Sequence, residues 1–324
     1  MEWLYPIALR IIAAVALIYF GLGLFNVHWL MRFRILASLA AGALLVGGVG
    51  YLFLRPQDPL GTISLFTGEI TVTDAVLVII LGFAAGILAT LLCWPIGHVL
   101  GPFAAPAGVG VLALCSGGIK PLLLVNSAFE QRNALYGFFR WESVFWLAVC
   151  AAGYAGTFLT TKLTHKKAII MDTAPREQKN QWTNILIAVV ATAAIVYFTL
   201  GIFAQDIRQI DEKLGSVTGT PGNGQIAFGV FVSVGLAAFI VKRFIQIHFI
   251  PVILGAIALY LVILTRFIGS ESLSYMVKTW PVDFFPKSIY AIIPTQFISF
   301  AILGAMTGYW IAIRTLQGPS ENEK

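Results

Sequence analysis

The chain has 324 residues, of which 58% are hydrophobic and 11% charged, with a formal net charge of +6. That composition excludes a sizeable soluble domain and implies an all-α polytopic integral membrane protein, a single transmembrane domain over residues 1–324. The basic excess lies in loops beside apolar runs rather than in a dense cluster with interleaved aromatics, which argues against nucleic acid and for topology and lipid-headgroup affinity.

Runs long enough to cross about 30 Å of hydrocarbon predict nine transmembrane helices, within a range of eight to ten. They fall at residues 5–25, 35–54, 74–94, 98–115, 142–161, 183–204, 225–241, 248–268 and 289–313. The first follows MEWLYPIALR, which lacks Lys or Arg before its apolar run and so lacks the basic start of a cleavable signal; the span is expected to be retained. The stretch CWPIGHVLGPFAAPAGVG at 93–110 divides into a tight turn, Trp94 to Gly101, and a Pro- and Gly-rich part inside the next span. Pro102, Pro106, Gly108 and Gly110 predict a kinked, buried helix, because freed backbone groups are tolerated in lipid only against protein or a water-filled cavity.

Region 119–140 is the weak point of the count, and its polar centre suits a re-entrant or interfacial helix. Its patch NSAFEQRN at 126–133, continued by Arg140, Trp141 and Glu142, offers Glu130, Arg132 and Arg140 to a phosphate or lipid headgroup; the alternative is a solvated loop. No sequence signal places an ionisable residue deep in a span. Every Asp and Glu is read as lying near a span end or in a loop, which argues against proton coupling through intramembrane carboxylates.

The loop 162–182 carries five basic residues, Lys162, Lys166, Lys167, Arg176 and Lys179, and by the positive-inside rule is cytoplasmic. Counting outward from it places the N-terminus outside and the C-terminus in the cytoplasm of a cell membrane, a bacterial inner membrane being the setting envisaged. Gly82 with Gly86, Ala152 with Gly156, and Gly304 with Gly308 have the four-residue spacing that lets helix backbones approach. His98, His248 and Pro251 sit in two similar turns; nothing beside the histidines completes a haem or metal set, and no cofactor is expected. Cys93, Cys115 and Cys150 read as packing residues.

Two internal resemblances divide the chain into halves, 1–165 and 180–316. One aligns AAVALIYFGLGLF at 13–25 with ATAAIVYFTLGIF at 191–203; the other relates the third to fifth spans to the seventh to ninth. They imply opposite relations between the halves, so either one match is accidental or a span is miscounted, with region 119–140 the place to look. No nucleophile–base pair, phosphate loop or nucleotide fingerprint occurs, so catalysis is not expected. The readings that remain are a transporter, permease or channel-like protein for a small solute, a non-catalytic subunit of a larger membrane complex, and a lipid-processing enzyme resting on 126–142 alone. The lipid bilayer is the expected environment, with membrane-protein partners or a homo-oligomer under the second reading.

Overall fold

The computed structural model describes residues 28–56, 61–67, 70–164 and 181–317, together with Ala16, Ile18, Tyr19 and Asp58. The expected span 5–25, most of loop 162–182 and the match at 13–25 lie outside the described residues. Among those described, eight helices are long and apolar enough to cross a membrane.

Helix α1, Trp29–Leu54, winds as a π-helix over Ala43–Val49. Helix α2, Val72–Leu92, starts at a capping box: Thr71 Oγ1 accepts from the Asp74 N–H, and Asp74 accepts from the Thr71 N–H. A short turn leads to α3, Gly97–Cys115. The short helix α4, Ile119–Val125, and the 36-residue α5, Phe129–Thr164, complete the first half.

The second half comprises α6, Gln181–Phe203; strands β1, Arg208–Asp211, and β2, Gly215–Gly219; and α7, Asn223–Ile245. It continues through α8, Ile250–Phe267, α9, Glu271–Thr279, β3, Phe284–Phe285, and α10, Pro294–Gln317. The strands form an antiparallel sheet in the order β1-β2-β3, with Arg208 opposite Thr218 and Thr218 opposite Phe285. The face bearing this sheet is called the hairpin side below, and the opposite face, with the turns 93–96 and 246–249, the turn side.

The packing repeats. In the first half α2 packs along α5, and α1 packs on α2 and α3; in the second α7 packs along α10, and α6 packs on α7 and α8. The two sets also meet reciprocally, α3 against α10 and α8 against α5. In this pairing α1 occupies the place in the first set of helices that α6 occupies in the second.

Glycines set the closest approaches. A Cβ on Gly86 would lie 2.0 Å from the Gly153 carbonyl oxygen, and one on Gly156 would lie 2.2 Å from that of Phe83. In the second half Gly304 meets the Phe231 carbonyl and Gly308 the Gly235 carbonyl, at 2.3 and 2.0 Å by the same measure. Gly82 is closed against Val149 in the same seam, where Gly153 takes the place expected of Ala152, which is only partly buried. These small-residue faces are therefore consumed within the chain. Large apolar side chains such as Leu52, Ile80, Phe158, Leu186, Phe198 and Phe244 point outward instead, as lipid contact requires.

Region 119–140 is not one re-entrant helix: α4 ends at Val125, and α5 begins thirteen residues before the expected start of its span. The reason is a continuous buried stripe, Leu135, Phe139, Glu142, Trp146, Val149 and Gly153, at alternating four- and three-residue steps. At about 1.5 Å per residue α5 is about 54 Å long, so it overreaches the hydrocarbon layer.

Candidate functional site

The α5 stripe carries one carboxyl into the interior. Glu142 is fully buried, and Asn133, nine residues before it on α5, accepts from the Gly269 N–H just past the hairpin-side end of α8. Nine residues of helix are about 13 Å, which places Glu142 within the apolar layer. This corrects the reading that every acidic residue lies near a span end or in a loop.

Three donors hold the carboxyl. The Ser64 hydroxyl donates to Oε2 at 2.7 Å, and the Trp146 indole N–H donates to Oε1 at 3.1 Å. The Leu65 backbone N–H is the third. Trp146 reaches it because residues four apart share a helix face. Ser64 reaches it because 61–67 folds inward: Thr62, Ile63 and Ser64 are buried, the Thr62 hydroxyl donates to the Gly118 carbonyl, and the Gly117 N–H donates to that of Gly61 at 3.1 Å. Among the described residues no cation pairs with Glu142. A buried carboxyl held by neutral donors alone can carry charge only at high cost, so its protonation is coupled to any cation or water that reaches it.

The site lies where the two halves meet. Tyr260 on α8 stacks on Phe297 of α10 with ring centres 4.3 Å apart and donates to the Ile292 carbonyl at 2.7 Å. Tyr136 on α5 donates to the Tyr290 carbonyl at 3.0 Å and meets Phe267 edge-on. A second polar string crosses the same junction: Gln296, fully buried on α10, donates to Asn223 Oδ1, and Asn223 Nδ2 donates to the Ser116 carbonyl.

The prolines and histidines singled out in the sequence lie elsewhere. In α3 the regular helix is interrupted by a 3₁₀ turn, Gly101–Phe103, with Pro102 in its first turn; Pro106 falls in the first turn of the helical segment that follows, where a missing N–H is tolerated. Pro251 opens α8 in the same way. Gly108 is required by contact with α1, since its Cβ would lie 2.3 Å from the Gly42 carbonyl oxygen, and Gly110 faces Phe300 on α10. Pro102 and Pro106 line an apolar cavity of about 190 Å³ between α3, α5, α8 and α10, whose other walls include Cys150, Tyr154, Ile253 and Met306. His98, in the first turn of α3, and His248, in the turn before α8, are exposed, and the His248 ring packs on Phe249 and Tyr309.

Glu130, Arg132 and Arg140 do not converge. Arg132 is buried and donates to the Asn126 carbonyl, Arg140 donates to that of Gly137, and Glu130 is exposed in the first turn of α5. Comparison with protein-family models, curated proteins and solved structures finds no match.

Proposed function

We propose that this polytopic membrane protein is a transporter for a small solute, working at the junction of its two halves, with Glu142 as the group that links transport to a proton or cation. The observation that carries this reading is the buried carboxyl with no cation partner among the described residues, between two sets of helices that meet reciprocally. Intramembrane carboxyls are costly and are retained where ions or protons move, and repeated halves give a transporter two bodies that can rock about a fixed site. The apolar cavity lined by Pro102 and Pro106 lies at the same junction and gives a solute with apolar surface a place to rest. The reading as a subunit of a larger complex loses its argument from small-residue faces, since those faces close on each other within the chain.

The test uses membrane vesicles from cells expressing the wild type, E142Q or no protein, loaded with a complex solute extract under an imposed pH gradient. Mass spectrometry of the vesicle contents is expected to find at least one solute whose accumulation depends on the gradient and is lost in E142Q. Identical contents in all three preparations, with co-purification of the chain in fixed stoichiometry with other membrane proteins, would overturn the reading.

A further inference from the structure

Where α6 leaves the apolar layer, a second cavity of about 490 Å³ opens beneath the β1–β2 hairpin. Its charged lining consists of two exposed cations, Arg208 on β1 and Lys287 after β3, and no carboxylate lines it. Neither cation forms an ion pair among the described residues; Arg208 donates to the Ser216 hydroxyl at 2.8 Å, and Lys287 donates to the Tyr197 hydroxyl and lies over its ring. Below them the lining turns apolar along α6, where Phe198 and Ile202 are each 69% exposed. Above, the hairpin exposes Ile207 and Ile210, side chains suited to lying against a bilayer rather than in water.

Two unpaired cations over an apolar channel on a lipid-facing helix match the chemistry of a phosphate ester carried on acyl chains. We propose that this cavity binds an anionic phospholipid of the hairpin-side leaflet, its phosphate between Arg208 and Lys287 and its chains along Phe198 and Ile202. The volume suits a headgroup and its glycerol. Free phosphate would satisfy the cations alone; the exposed aromatic and aliphatic wall favours the lipid. Glu142 does not line this cavity, and the site stands whether or not the protein transports a solute.

The test is native mass spectrometry of the full chain in detergent, titrated with dioleoylphosphatidylglycerol or dioleoylphosphatidylcholine. A basic residue near a lipid surface is worth about a fivefold preference, so two predict that phosphatidylglycerol binds at least about tenfold more tightly. The R208Q/K287Q double variant should bind both lipids alike, and R208K/K287R should keep the preference. In the wild type, 500 mM salt should remove most of it, a readout that does not depend on any variant folding. Equal binding of the two lipids by the wild type, or an unchanged preference in R208Q/K287Q with unaltered thermal unfolding, would overturn the proposal. Displacement of phosphatidylglycerol by an equal concentration of glycerol 3-phosphate would overturn it too, in favour of a soluble phosphate ester.

Discussion

Ser64 and Glu142 are 78 residues apart in sequence and 2.7 Å apart in space, and their hydrogen bond ties the loop between α1 and α2 to the centre of α5. The bond separates two roles of the carboxyl. Gln at 142 keeps most of the geometry, because its Oε1 can accept from Trp146 and its amide can donate to the Ser64 oxygen, which accepts as readily as it donates; at most the Leu65 N–H loses its acceptor. Ala at 142 leaves buried donors on Trp146 and Leu65 without acceptors, at a cost of about 1–3 kcal/mol for each such group. Thermal unfolding in detergent is therefore expected to show E142Q close to the wild type and E142A clearly destabilised. S64A should fall between them, since Trp146 and Leu65 keep their acceptor. An E142Q variant as unstable as E142A would mean that the charge itself holds the fold, and would remove the reason to assign it to ion coupling.

The glycine seams contrast with a glycine that lies outside them. Gly86→Ala drives a methyl to 2.0 Å from the Gly153 carbonyl oxygen, and Gly308→Ala does the same at Gly235; both contacts are backbone and cannot turn aside. Overpacking of this kind costs about 1–3 kcal/mol or more, and either change is expected to lower the unfolding temperature and the folded yield. Gly137, on α5 itself, has nothing within 4 Å of its would-be Cβ. Gly137→Ala should be neutral or stabilising by about 0.5–1 kcal/mol, through helix propensity alone.

Close helix approach leaves small residues at four-residue spacing, a local signature, so the amino-acid sequence alone marks the seams at Gly156, Gly304 and Gly308. It points to Ala152 in place of Gly153 because spacing alone does not say which face of α5 meets α2. The length of α5 is also written in the chain, in the 4-3-4-3-4 stripe from Leu135 to Gly153, but Arg140, Trp141 and Glu142 break the apolar window that defines the span. Ser64 carries no such signal. Its partnership with Glu142 depends on the course of 61–67 through space, and neither hydropathy nor periodicity encodes that. The hairpin at 208–219 reads as loop for a related reason: its strands are short, and much of what fixes them is a carboxylate–aromatic contact with 275–280.

That contact centres on Asp211. Its carboxylate accepts from the backbone N–H groups of Lys213 and Leu214, from the Tyr275 hydroxyl at 3.0 Å and from the Trp280 indole N–H at 2.8 Å, joining the hairpin to α9. Desolvation pushes the carboxyl up, but these four bonds outweigh it and hold Asp211 below the ordinary carboxylate range. The same hydrogen bond, with burial, holds the Tyr275 phenol above its usual value. A carboxylate lowered on folding adds stability above its unfolded value, about 3.9, and that stability is lost as pH falls through the folded one. The hairpin should stay joined to α9 at neutral and mildly acidic pH and separate only under strongly acidic conditions. Hydrogen exchange of 208–219 and 271–280 should rise together in D211A at pH 7, and in the wild type only on strong acidification. Faster exchange in the hairpin with α9 unchanged would show that Asp211 does not couple them.

The orientation of the chain follows from which side each loop occupies. The hairpin side carries Glu212, exposed between β1 and β2, and the turn side carries Arg243, exposed near the end of α7. Positive residues flank the turn side at Lys162, Lys242, Arg243 and Arg314, and by the positive-inside rule that side is expected to be cytoplasmic, although the hairpin side also carries Arg208, Lys213, Lys278 and Lys287. Single cysteines at these positions, E212C and R243C, in a chain with Cys93, Cys115 and Cys150 replaced by serine or alanine, make the assignment measurable. A membrane-impermeant maleimide added to intact cells should label E212C and spare R243C, and permeabilisation should expose both. The opposite pattern would invert the protein in the membrane, and would move the Arg208–Lys287 cavity to the cytoplasmic leaflet, where anionic lipids are more abundant.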